Sequence, residues 1–341
     1  MADSVLDVFN QDAFSFVALT DAINRVPFTP FQAGKLGIFT ETGVATTKVE
    51  LEQYDGVLDL VPNTPRGGAA AENKRNKRVV RSLTIPHFPL DDNIFADEVQ
   101  NVRVFGSSNE FQGVQAIVDQ RFQEMVPKLD ATLEYGRIGA IKGIIYDSDG
   151  STVIYNLFTE FGITQSTVDF TFGTTTTDIH GVCSDVLNQM ETNLGAATWD
   201  HIHVFCGKTW FKSFIGHANV QKAYTYFQER QQMLNPMRDD VRYDGFTFGG
   251  LTFEQYRGTV NGVGFVADNE AYAFPVGVPM LFRTYFAPGD YVETANTIGL
   301  PRYAKQALDP KFQKYVSLEV QTNPLSICRR PEALIKLYTS N

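Results

Sequence analysis

One stretch of this chain cannot enter any core, and that limits the folds open to it. From Arg66 to Arg81 the sequence reads RGGAAAENKRNKRVVR. It holds six basic residues (Arg66, Lys74, Arg75, Lys77, Arg78 and Arg81) against one acid, Glu72. Gly67, Gly68 and three alanines supply no large apolar side chain to bury. The stretch carries +5 within a formal net charge of -10, so the other residues carry -15. Taken alone, it can be a solvated loop tip, a nucleic-acid patch or an arm that meets an acidic surface on a partner. No aromatic residues interleave the charges, as base stacking requires. The flanks favour an arm. Thr47, Val49 and Leu51 alternate with Lys48, Glu50 and Glu52, the period of a half-buried strand. Asp55-Gly56 signals a turn, and Val57–Val61 follows as a short strand. Beyond the tip, Val79, Leu83 and Ile85 lie at odd positions, and Pro86-His87-Phe88-Pro89 is expected to end the pairing. A two-stranded ribbon is marginal alone in water, so it needs support, which another subunit could provide.

Composition removes several classes. With 341 residues, 43% apolar and 13% aromatic, the chain can fill two or three cores and is not disordered. Its acidity argues against a general nucleic-acid coat. Three cysteines do not make a disulfide scaffold. No run approaches 18 apolar residues, so no membrane-spanning helix and no membrane partner are expected. The acidic start MADSVLDVFNQD lacks a charged n-region and an apolar h-region, which predicts no secretory signal and synthesis in a reducing cytoplasm.

Periodicity supplies the elements. Phe111, Val114, Val118, Phe122, Met125, Leu129 and Leu133 recur every three or four residues, which predicts one long amphipathic helix over about 109–139. Ser108 is its expected N-cap, and Pro127 is expected to kink or interrupt it. Ile144–Tyr146 and Val153–Tyr155 flank the turn Asp147-Ser148-Asp149-Gly150, which predicts a hairpin. A calcium loop from Asp147 would need glycine at its sixth position and glutamate at its twelfth, where Thr152 and Phe158 stand. Gly173–Thr177 reads as a crossing into a second α/β unit. Its predicted elements are a helix over Ile179–Leu194 capped by Thr177 or Asp178, a strand over His201–Cys206 and a helix around Trp210–Ile215. Helical character then runs from Val220 to about Arg242, broken at Pro236. Strands are predicted within Phe246–Tyr256, Val316–Val320 and Ile335–Tyr338.

Catalytic chemistry is thin. His201 and His203 share one face of a strand and could begin a zinc site if His217 or an acid joined them; otherwise they are packed or surface histidines. Cys206 falls on the opposite face, and Cys183 reads as a small core residue. Asp239-Asp240, beside Arg238 and Arg242, reads as a loop salt-bridge cluster rather than an acid/base pair. There is no G-x-S-x-G elbow, Walker loop or H-E-x-x-H. No catalytic residue, cofactor or metal is therefore expected.

Several stretches, in order, resemble one family. PFTPFQAGKLGIFTETGVATTKVELEQYDGVLDLVPNTPRG begins at Pro27 and IPHFPLDDNIFADEVQNVRVFG at Ile85. LEYGRIGAIKGIIYDSDG ends the long helix, and VDFTF begins at Val168. These stretches resemble the major capsid proteins of tailed bacteriophages, the lambda-like capsid E family. The resemblance implies an α+β, Hong Kong phage-type (HK97-like) major capsid fold. Residues 1–44 would be an N-terminal arm and 45–90 an extended β-hairpin loop. Residues 91–174 would form a peripheral domain with a spine helix, 175–310 an axial domain, and 311–341 strands returning to the peripheral domain. It further implies a structural subunit that builds hexamers and pentamers of an icosahedral virion shell around double-stranded DNA, without sequence-specific binding. Scaffolding, portal and decoration proteins would be partners, and the chain would be made in the bacterial host cytoplasm. In that setting Arg66, Lys74, Arg75, Lys77, Arg78 and Arg81 would be inter-subunit contacts. The competing readings are a bacterial nanocompartment shell of the same fold, a tail or decoration protein, and a metal-dependent hydrolase using His201 and His203.

Overall fold

The strand His201–Cys206 separates two cores because its residues alternate between them. Ile202, Val204 and Cys206 pack with Trp210, Phe211 and Phe214, while Phe205 joins Phe274 and Tyr256 on the other face. This is a computed structural model, and it describes residues 15–26, 31–54, 78–100, 110–195, 197–234, 245–260 and 262–340. His201–Cys206 pairs in parallel with Leu251–Gln255 and antiparallel with Ala271–Val276. Phe246–Phe248 closes one edge of this sheet; Ile335–Tyr338 and then Ser166–Asp169 extend the other, giving six strands. The helices Ile179–Leu194, Lys208–Gly216 and Ala218–Leu234 supply Cys183, Val186, Met190, Trp210, Phe214 and Val220 to one core. Gly207 joins the central strand to its helix, and only glycine fits: a Cβ there would lie 2.0 Å from the carbonyl oxygen of Ala267. The predicted helices and strands of this half are present, with Asp178 at the N-cap of Ile179–Leu194. Asp239-Asp240 and Pro236 lie outside the described residues.

The long helix spans Glu110–Lys142 and continues through Pro127. Val118, Phe122, Met125 and Leu129 from its predicted stripe are buried against Ile94, Leu318 and Val320 of a second sheet and against Leu19 and Ile23 of the helix Phe16–Arg25. Ser108 lies outside the described residues. The second sheet orders Tyr303–Leu308, Tyr315–Thr322 and Phe88–Phe95. The ribbon pairing ends at Thr84, just before Pro86–Pro89, as expected, and a new strand with a different partner starts at Phe88. Phe88–Phe95 is an edge strand, with Pro89 opposite Gln321. An edge strand needs only one hydrogen-bond ladder, so it tolerates a residue without an N–H.

A third sheet orders Phe39–Gly43, Phe282–Phe286 and Pro324–Cys328, the first pair parallel. Within residues 1–44, expected as an arm, Phe16–Arg25, Gln32–Leu36 and Phe39–Gly43 therefore form two helices and a strand within the packing of their own chain. The ribbon Lys48–Tyr54 and Arg78–Thr84 forms as predicted, with Val49 opposite Leu83 and Leu51 opposite Arg81. Val49, Leu51, Leu83 and Ile85 are buried in a core shared with Ile141, Phe158 and Phe161. The base of the ribbon thus rests on its own subunit. The strands Ile144–Tyr146 and Val153–Asn156 pair as predicted.

Candidate functional site

The histidine pair occupies the center of the large sheet. His203 is 4% exposed, and its Nε2 lies 3.0 Å from Glu254 Oε2 on the neighbouring strand. The ring packs against Phe205 and Phe274, with centroids 5.0 and 5.5 Å away. The other oxygen of Glu254 accepts from Gln32 Nε2, and the Gln32 side chain also meets the Gln255 carbonyl at 2.9 Å and the Arg257 N–H at 2.5 Å. Burial, followed by the neighbouring His203, pushes the His201 pKa below its ordinary value. His217 is used elsewhere, with Nε2 3.2 Å from the Thr174 carbonyl oxygen. Among the described residues no three His, Cys, Asp or Glu side chains gather as metal ligands. His203 is a packed histidine with an acid partner. The described cysteines are buried, and burial pushes the Cys183 thiol up to about 12 and raises Cys206 and Cys328 as well.

A second buried carboxylate fastens the N-terminal segment. Glu134, on the long helix, is fully buried. Its oxygens accept from Ala33 N at 2.7 Å, Gly34 N at 3.0 Å and the Tyr256 hydroxyl at 2.8 Å. Burial raises its pKa, against the lowering effects of these donors and of Arg137. The carboxylate thus satisfies two N–H groups of the short helix Gln32–Leu36 that have no partner inside it. Arg302 does the same for the preceding helix, at its other end. It donates to the carbonyls of Ile23 and Val26 at 3.1 and 3.0 Å and pairs with buried Asp130 at 2.6 Å. Sequence periodicity showed neither junction, because each relies on an acid, Glu134 or Asp130, set among the apolar residues of the long helix.

The basic residues divide. Arg66, Lys74, Arg75 and Lys77 lie outside the described residues; Arg78 opens the second ribbon strand, and its side chain is not described. Arg81 turns inward. Its guanidinium donates to the carbonyls of Glu160 and Phe161, the latter at 3.2 Å, and stands over the Phe161 ring at 5.2 Å. Those carbonyls belong to the last turn of the helix Leu157–Phe161, where cations are favoured.

Two surface features remain. An apolar groove of about 680 Å³ runs between the long helix, the Asp147–Gly150 turn and the start of the edge strand, lined by Phe88, Leu90, Pro127, Tyr135, Tyr146 and Phe265 among others. At the far end of the second sheet, the turn between Tyr303–Leu308 and Tyr315–Thr322 presents Phe312, 65% exposed. Neither feature has the arrangement of nucleophile, base and oxyanion donors that a reaction needs. Both suit protein contact.

Relatives agree with a structural role. The family model for phage major capsid protein E matches residues 15–339. The major capsid protein of Pseudomonas phage KPP10 is 28% identical over 96% of this chain and 97% of its own length. That of Salmonella phage Felix O1 is 25% identical over 94% and 95%. Among solved structures, a chain assigned as a prophage capsid protein in E. coli CFT073 superposes with a TM-score of 0.53 at 10% identity, covering 94% of this chain and 97% of that one. The likeness supports the HK97-like α+β fold expected from the sequence. Neither the nanocompartment nor the hydrolase reading is favoured by these matches. The protein is a structural subunit of a virion shell and not an enzyme, and the chain belongs to the phage major capsid protein E family.

Proposed function

We propose that copies of this chain gather into hexamers and pentamers of an icosahedral shell around double-stranded DNA, joined partly by the basic ribbon tip. The observation that carries this reading is the division of labour along the ribbon. Its base is fixed to its own subunit by Arg81 and by Val49, Leu51 and Leu83. The residues farther along carry Arg66, Lys74, Arg75, Lys77 and Arg78, set against a chain that is acidic elsewhere. A cationic tip on an anionic body is complementary to another copy of itself. In this reading Arg81 is an anchor, and the other five make the contacts between subunits. The large sheet with its three helices would be the axial domain, and the long helix with the second sheet the peripheral domain. The acidic balance suits a container whose DNA is packed without sequence-specific contact. Scaffolding, portal and decoration proteins complete the assembly, and synthesis takes place in the host cytoplasm.

Charge reversal at Lys74, Arg75, Lys77 and Arg78 together tests the tip. The expected result is a folded subunit, with a circular dichroism spectrum and melting temperature like the parent, that forms no regular shells in negative stain. Normal shells from that variant would overturn the tip contact.

A further inference from the structure

We propose that the Lys311–Lys314 turn of one subunit inserts Phe312 into the apolar groove beside the Asp147–Gly150 turn of a second copy. The contact rests on the self-assembly of capsid subunits and not on the ribbon-tip reading.

The knob is preformed. Asp309 holds the turn by accepting from Lys311 N at 3.1 Å, Phe312 N at 3.2 Å and Lys314 N at 3.4 Å, while its own N–H donates to the Tyr315 carbonyl at 3.1 Å. Phe312 stands out 65% exposed, with Lys311 Nζ 5.0 Å and Lys314 Nζ 5.3 Å from its ring center. An aromatic ring on a rigid turn between two cations has little conformational freedom left to lose on docking.

The groove is complementary in chemistry and charge. Its walls are apolar and aromatic, with room for a phenyl ring, and Ser148 and Gly150 form one side of its mouth. Asp147 and Asp149 alternate with them along that turn. Lys128 lies on the helix wall, so the docked lysines belong on the hairpin side. Two cations flanking the knob thereby meet two anions flanking the hole.

Geometry makes the contact intermolecular. Phe88, in the groove, pairs with Thr322 at one end of the second sheet, and Phe95 pairs with Tyr315 beside the knob at the other. They are the two ends of an eight-residue strand, seven steps apart, or about 24 Å at ~3.4 Å per residue. A knob at one end and its hole at the other, on one stiff sheet, make a head-to-tail contact that propagates from copy to copy and closes into rings when the rotation allows.

The experiment uses shells purified from mixed unlabelled and 15N-labelled full-length chain. Carbodiimide treatment, which joins amine to carboxylate without a spacer, is expected to link Lys311 or Lys314 to Asp147 or Asp149 in peptides that combine the two labels. Two charge variants, K311E/K314E and D147K, are each expected to lower shell yield by roughly tenfold, the scale of losing an interface anchor. Their combination in one chain is expected to recover most of that loss. Asp149 is left unchanged because it holds its own turn through Ser151 and Thr152. Absence of the mixed-label link, a combined variant no better than its parents, or linkage of Asp147 to a lysine of a different protein would each overturn the proposal.

Discussion

Glu134 is a single carboxylate on which two backbone N–H groups and one hydroxyl depend, all from distant parts of the chain. Its removal in E134A leaves Ala33 N, Gly34 N and the Tyr256 hydroxyl without their acceptor. The expected loss is about 3 kcal/mol, from the penalty for buried unpaired donors, measured as a shift in urea midpoint at constant slope. The pH dependence has a definite sign. Burial holds the Glu134 pKa above its ordinary value, so the folded state binds this proton more readily than the unfolded chain does. The stability it contributes is complete below about 4.3, the unfolded value, and is lost as pH rises through the higher folded one. E134Q has no proton to lose there, so its stability is expected to vary less with pH than that of the parent from about pH 4 to about pH 7; a series of urea titrations across that range checks this. Histidine parity was legible in the sequence, since His201 and His203 do share a face opposite Cys206. The acid that meets His203 was not, because Glu254 comes from a strand about fifty residues away whose pairing no local pattern encodes.

At the scale of elements, the segments with a clean period were readable: the helix Ile179–Leu194, the strand Tyr315–Thr322 and both ribbon strands. Two kinds were not. Ala271–Val276 is buried along nearly its whole length, and an unbroken apolar run carries no alternation to detect. Phe39–Gly43 is polar in sequence, and its parallel partner Phe282–Phe286 lies hundreds of residues later. Two prolines sit inside regular elements rather than at their ends. Pro89 sits in an edge strand, and Pro127 sits inside a helix whose neighbouring turns are held by the second sheet. Tertiary packing there outweighs the local penalty, so P127A is expected to raise the stability of the isolated subunit by up to about 3 kcal/mol, read as an increase in melting temperature. Arg81 governs the ribbon base. R81A removes its hydrogen bonds to Glu160 and Phe161, and the loss is expected to be about 2 kcal/mol. Hydrogen exchange should quicken in Lys48–Tyr54 and Arg78–Thr84 while the large sheet keeps its protection.

For the whole molecule, both proposed contacts between copies set cations against anions, which would make assembly electrostatic as well as hydrophobic. If cationic segments of one copy meet anionic surfaces of the next, raising salt screens them over a Debye length of about 8 Å at physiological ionic strength. The rate of shell formation followed by light scattering is then expected to fall as salt increases, with the subunit's own melting temperature little changed. The large sheet has a further consequence, in time rather than in space. Ile335–Tyr338 lies between Ser166–Asp169 and Ala271–Val276. Translation must therefore run roughly 60 residues past Ala271–Val276, some 3 to 12 seconds at typical elongation rates, before the strand that fills this gap exists. Until then Ser166–Asp169 has no sheet to join. A growing chain therefore completes this sheet, and any surface that depends on it, only after Ile335–Tyr338 has been made. The order of strands thus sets the order in which the sheet can close.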